Sequence, residues 1–145
     1  PTAEHFQSAQ RILRYISRTK DMALLYRAGV VEQLVGYTDA DWAGNASDRR
    51  STSGYAFSLG SAAIVWSSKK QPTMALSSTE AEYRGAVVAM CEVIWLKSLL
   101  WDLRVEVSKQ TIIYCDNLIS IQLAKKPVFH ARTKNIEVHY HFVRE

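Results

Sequence analysis

Tyr37-Thr38-Asp39-Ala40-Asp41-Trp42-Ala43-Gly44-Asn45 is the stretch on which the reading of this chain turns. It follows Val30 to Asp39, a weakly alternating run rich in β-formers (Val31, Leu34, Val35, Tyr37), which predicts a strand. A strand that ends on an acid, followed by small residues and Gly-Asn, sets a carboxylate at the rim of a sheet with room for backbone to approach a ligand. Taken alone, the same pattern describes a solvated acid before a turn. The segments C-terminal to it give it its weight.

Downstream, Thr52 to Leu59 alternates as a half-buried strand does. Gly60-Ser61 is a turn, and Ala62 to Ser67 reads as a third strand. Three strands with short connections predict an antiparallel meander. Ser77-Ser78-Thr79 offers three N-caps to the longest helical pattern of the chain, in which Glu82 heads the apolar stripe Ala86, Ala89, Met90 and Val93. Glu80 has Arg84 four residues on, the order that suits a surface ion pair. Glu82 fits a capping box with Thr79, as Glu80 does with Ser77, but it also heads the core-facing stripe, where an acid is costly unless a cation compensates it.

Thr111 to Cys115 is wholly apolar or β-branched, as a strand buried on both faces is, and it runs directly into Asp116-Asn117. The carboxyl end of such a strand is where open α/β sheets bind ligands; an Asx turn opening a helix accounts for the same two residues. Asn117 to Lys125 and Thr133 to Glu145 carry further helical patterns on either side of Pro127, and Glu137 lies in the second. Glu4 to Ser17 is an amphipathic lead-in helix with Arg11, Arg14 and Arg18 on its basic side. Leu24 to Tyr26 reads as a short extended piece.

Composition sets the outer bounds. The 145 residues suit one domain, 48% apolar and 22% charged, and 18 Lys and Arg over 14 acids give a net charge of +4, a mild pointer to a polyanionic partner. Cys91 and Cys115 lack CxxC spacing and sit in apolar runs, so they read as buried free thiols of a reducing compartment. The sequence shows no signal peptide and no uninterrupted apolar stretch long enough to cross a membrane. It begins at Pro1 and stops at Glu145 within a helical pattern, which reads as a piece of a longer polypeptide. Trp42, Trp66, Trp95 and Trp101 read as packing residues.

Taken in order, YTDADWAGN (Tyr37 to Asn45), DRRSTSGYAF (Asp48 to Phe57), WSSKKQPTMALSSTEAEYRGA (Trp66 to Ala86), IIYCDN (Ile112 to Asn117) and HARTKNIEVHYHFVRE (His130 to Glu145) resemble the ribonuclease H domain of copia-type LTR retrotransposon polyproteins. RILRYISRT (Arg11 to Thr19) is similar to the segment that joins reverse transcriptase to that domain. The resemblance implies residues 1–30 as a connection segment and 31–145 as the ribonuclease H domain. It implies an α/β ribonuclease H-like fold with a mixed five-stranded sheet, an antiparallel meander plus parallel strands, flanked by helices.

The function implied is an endonuclease that hydrolyses the RNA strand of RNA–DNA hybrids during reverse transcription by a two-metal mechanism. Asp39, Glu82, Asp116 and Glu137 would be the catalytic and metal-holding carboxylates, taking two Mg²⁺ ions, with Mn²⁺ as a substitute. Glu137 departs from the family, whose usual residue there is Asp; the added methylene predicts altered metal dependence. His130 would aid product release, and a solvated loop histidine is the other reading. His139 and His141 point to different sides of a helix and read as surface residues.

Arg49, Arg50, Lys69, Lys70 and Arg132 are the candidates to track phosphates. The implied partners are the hybrid and the reverse transcriptase domain of the same polyprotein, with no membrane and no small-molecule cofactor. The implied setting is intracellular, a cytoplasmic virus-like particle. Two other readings stay open: a non-catalytic ribonuclease H-like nucleic-acid-binding or connection module, and an integrase-type core. The position of Glu82 early in the long helix speaks against the latter.

Overall fold

The computed structural model describes residues 2–29, 33–107 and 110–117. In chain order the elements are α1 (Ala3–Thr19), β1 (Leu34–Asp41), β2 (Thr52–Leu59), β3 (Ala62–Lys70), α2 (Ser78–Asp102) and β4 (Ile112–Cys115). The strands form one mixed sheet in the order β3-β2-β1-β4. β1, β2 and β3 make the expected antiparallel meander, with Leu34 opposite Leu59 and Leu59 opposite Ala62. β4 joins β1 in parallel, placing Val35 opposite Ile112 and Thr38 opposite Cys115.

The described residues hold four strands, where the resemblance implied five. The sequence itself contained four period-two or apolar runs, at the positions where four strands stand; the fifth came from the resemblance alone. The helical patterns at 117–125 and 133–145 lie outside the described residues, apart from Asn117.

β1 alternates strictly. Leu34, Gly36, Thr38 and Ala40 are buried, while Tyr37, Asp39 and Asp41 are exposed. The buried register is covered by α2, which contributes a stripe of buried residues: Glu82, Gly85, Ala89, Val93, Leu96 and Leu100. This stripe is rotated by one position from the expected Ala86 and Met90, both only half-buried. Phe57, fully buried, fills the centre of the core together with Leu34, Ala89, Val93 and Leu96.

Two glycines set how closely the layers meet. A Cβ on Gly36 would run into the Phe57 ring. A Cβ on Gly85 would touch Ser53 Oγ and Thr38 Oγ1 at 3.4 Å, so α2 lies close on β1 and β2 just where Glu82 emerges one turn earlier.

Several expectations need correcting. β1 runs on to Asp41, so Asp39 stands two residues inside the strand. β4 is an edge strand among the described residues, and Ile112 and Tyr114 are exposed while Ile113 and Cys115 are half-buried. An all-apolar run cannot by itself separate one covered face from two; here Tyr114 stacks on Tyr37 on the face away from α2 (centroids 5.3 Å apart).

Cys91 is exposed, because α2 presents it away from the sheet. Trp42, Trp66, Trp95 and Trp101 are 48–82% exposed, and only Trp42 is tied between elements, its Nε1 donating to Ala75 O at 3.2 Å. Trp95 falls between the buried positions Val93 and Leu96 of α2, Trp101 follows the buried Leu100, and Trp66 lies on the exposed register of β3.

α1 is capped by Thr2, whose hydroxyl accepts from His5 N, but buries none of its residues. The segment after it is tied to the sheet: Tyr26 donates its hydroxyl to Ala63 O (2.7 Å), and Arg27 N donates to Ser61 Oγ (3.0 Å). No helix of the described residues is long and apolar enough to cross a membrane.

Candidate metal and nucleic-acid site

Parallel pairing of β1 and β4 brings their carboxyl ends side by side. Thr38 lies opposite Cys115, so Asp39 and Asp116 each follow a member of that pair. α2 supplies the third acid. Ser77 caps it by accepting from Glu80 N (3.1 Å), and Glu80 Oε2 accepts from Leu76 N (2.8 Å).

Glu80 also takes Arg84 at 2.7 Å, as its spacing predicted, but it is buried, because Arg84 folds back to Thr73 and covers it. Glu82, two residues on, faces the sheet and is 7% exposed. The structure thus brings Asp39, Glu82 and Asp116 into one electrostatic neighbourhood.

Glu82 carries the strain of that meeting. Burial pushes its pKa up first, and the nearby Asp39 adds to the rise; the Ala40 backbone N–H opposes it, and Asp116 raises it further. Its Oε2 is buried without a hydrogen-bond partner. A buried carboxylate oxygen left unpaired beside two other carboxylates is the state a hard cation relieves.

Cys115, which sequence reasoning assigned only to packing, belongs to the same group. One donor atom each from Glu82, Cys115 and Asp116 lie within 4.8 Å of one another. The thiol pKa is raised, chiefly by burial, with the Asn117 backbone opposing and Glu82, Asp116 and Asp39 adding. Its place directly before Asp116 on a strand paired with Asp39's strand was the available signal.

Of the four described basic candidates, Arg50 and Lys70 meet at one organiser that the sequence did not single out, Asp48, whereas Arg49 and Lys69 do not pair with it. Arg50 Nε meets Asp48 Oδ2 at 2.7 Å and Lys70 Nζ meets the same oxygen at 3.1 Å. Asp48 is held at a pKa of about 2, against an ordinary 3.8, chiefly by the Arg50 side chain.

Asn45 shapes the loop, its Oδ1 accepting from Ser47 N and Asp48 N, while Arg49 takes a left-handed φ of 53° and stays exposed. Thr52 lies opposite both Asp41 and Lys70, so this basic end of the sheet is the end at which β1 finishes. Lys69 lines a cleft with Tyr55, Arg84 and Val87 beside it. Glu137, His130 and Arg132, with His139 and His141, lie outside the described residues.

A mixed sheet under one long helix, with three acids at the carboxyl end of its parallel strand pair, defines an α/β protein with an acidic site next to a basic rim. The chain is 45% identical over 144 residues to the Retrovirus-related Pol polyprotein from transposon RE1 of Arabidopsis thaliana, covering 99% of this chain and 10% of that protein. It is 44% identical over 145 residues to the Retrovirus-related Pol polyprotein from transposon TNT 1-94 of Nicotiana tabacum, covering all of this chain and 11% of that protein. Secreted RxLR effector protein 161 of Plasmopara viticola is 48% identical over 96 residues, covering 66% of this chain and 68% of that protein.

No protein-family model matches the chain, and no solved structure matches it significantly. Over its whole length the chain is similar to a region of plant retrotransposon Pol polyproteins. It spans about a tenth of the length of the curated Pol polyproteins it matches.

Proposed function

We propose that this region is a ribonuclease H of ribonuclease H-like fold, which hydrolyses the RNA strand of RNA–DNA hybrids during replication of a retroelement. The observation that carries the reading is the convergence of Asp39, Glu82 and Asp116, three acids from two strands and a helix, around a buried unpartnered oxygen of Glu82. The resemblance adds Glu137 as a fourth carboxylate and His130 as the residue that aids product release.

The donor set fits Mg²⁺, which favours carboxylate oxygens and retained waters. Asp39, Glu82 and Asp116 would hold the ions. When bound, these supply charge neutralisation and Lewis acidity at the scissile phosphodiester. The chain's own part is placement. The β1–β2 pairing fixes Asp39, the close seat of Gly85 fixes the turn bearing Glu82, and Asp116 caps β4. The Ala40 N–H orients the Glu82 carboxylate.

Arg49 and Lys69 offer charge to the nucleic-acid backbone directly. Arg50 and Lys70 offer it in exchange for Asp48, with Arg132 named by the resemblance. Contacts to 2′-hydroxyls distinguish RNA from DNA.

Cleavage of an end-labelled RNA–DNA hybrid with Mg²⁺ and with Mn²⁺, beside Asp116→Asn, tests the proposal. RNA-strand products that disappear in the variant support it. Salt-sensitive binding of the hybrid without cutting under either metal overturns it in favour of a connection module.

A further inference from the structure

Cys115 is paired with Thr38, on the buried register of β1, so it stands on the α2 side of the sheet. There it meets Glu82, whose residue is more than nine-tenths buried and whose Oε2 has no hydrogen-bond partner. Asp116, exposed, supplies a third donor, and the three donor atoms lie within 4.8 Å of one another. Mg²⁺ has no use for a thiol. A thiolate flanked by two carboxylates is instead a donor set for a softer ion.

We propose that Glu82, Cys115 and Asp116 form a binding site for a thiophilic divalent cation of the Zn²⁺ or Cd²⁺ class. Tetrahedral zinc holds sulfur at about 2.3 Å and carboxylate oxygen at about 2.0–2.2 Å, which separates neighbouring donors by roughly 3.5 Å. From a separation of at most 4.8 Å the donors need to close by little more than about 1 Å, a shift within the range of side-chain rotation. Coordination converts the thiol to a thiolate, its proton passes to buffer, and no oxidation occurs. A fourth position stays open to water. The site shares Glu82 and Asp116 with the proposed nuclease centre, and it rests on where these side chains lie, independent of whether the chain cuts a hybrid.

The experiment uses the full chain with Cys91→Ser, which removes the other, exposed thiol. Cd²⁺ is titrated while the ultraviolet charge-transfer band of cadmium–thiolate is followed. The proposal expects saturation at one equivalent. It also expects slower alkylation of Cys115 by iodoacetamide with Cd²⁺ present and little change with Mg²⁺. Glu82→Gln and Asp116→Asn should each weaken Cd²⁺ binding at least about tenfold, since even outer-shell partners of a metal are worth that much.

Asp116 is exposed, so its variant reports on ligation without touching the core. A band that saturates with unchanged affinity in both variants identifies an isolated thiol and overturns the site, as does the absence of any band. Binding is read without substrate, so a failure of hybrid cleavage leaves this result standing and distinguishable.

Discussion

Replacing Glu82 by Gln should stabilise the metal-free fold while abolishing the affinity for divalent cations that the proposed function requires. The nearest donor atoms of Glu82 and Asp116 lie within 4.8 Å. At that separation two unit negative charges repel by about 1 kcal/mol in bulk water and by roughly 3 kcal/mol at the effective dielectric of a protein surface. Glu82 is buried and Asp116 exposed, so the gain at neutral pH in low salt belongs between those limits. For a chain of this length it corresponds to a melting point raised by roughly 3–10 °C.

The pH dependence has a defined sign. The carboxyl of Glu82 has a raised pKa in the folded state, chiefly through burial. The wild-type chain is therefore free of the penalty below the ordinary value of 4.5 and bears all of it above the folded value. The advantage of Glu82→Gln should be larger at pH 8 than at lower pH, shrink as pH falls, and vanish near pH 4. Added salt should reduce it.

Saturating Mg²⁺ should reverse the order, because a ligand at 100 times its dissociation constant stabilises the state that binds it by about 2.7 kcal/mol. Thermal unfolding across pH, with EDTA and with Mg²⁺, reads all of this. A variant less stable than wild type in EDTA, or equally favoured at pH 4 and pH 8, would refute the electrostatic argument.

Gly36→Ala should cost about 1–3 kcal/mol by urea unfolding, since its methyl must displace the fully buried ring of Phe57; an unchanged midpoint would show that the layer spacing adapts freely. Asp48→Asn should free Arg50 and Lys70 and tighten hybrid binding, with a salt dependence steeper by roughly one to two phosphate contacts in a fluorescence titration. Unaltered affinity would mean that neither residue reaches the substrate. The carboxyl of Asp48, held at about 2, should stay ionised well below pH 3.8 and release its two partners only as pH approaches 2; its carbon chemical shift followed by NMR reports this directly.

The sequence by itself determined the meander, the long helix and the identity of the acids. Period-two alternation over Thr52 to Leu59 returned as β2 with the same ends, and one of the three offered N-caps, Ser77, starts α2, because capping is a local interaction. Only the tertiary structure decided which faces are covered.

Trp95, Trp101 and Cys91 are apolar or weakly polar residues within a strongly hydrophobic helix. Their exposure follows from which face α2 turns to the sheet, a face that comes close to it at Gly85. The same holds for the site. Asp39, Glu82 and Asp116 were legible as candidates, but no local pattern places Cys115 against Glu82 or hands Arg50 and Lys70 to Asp48. Those contacts depend on the parallel register of β1 with β4 and on the pairing of Thr52 with Lys70, and register between segments far apart in the chain is a property of the packed fold.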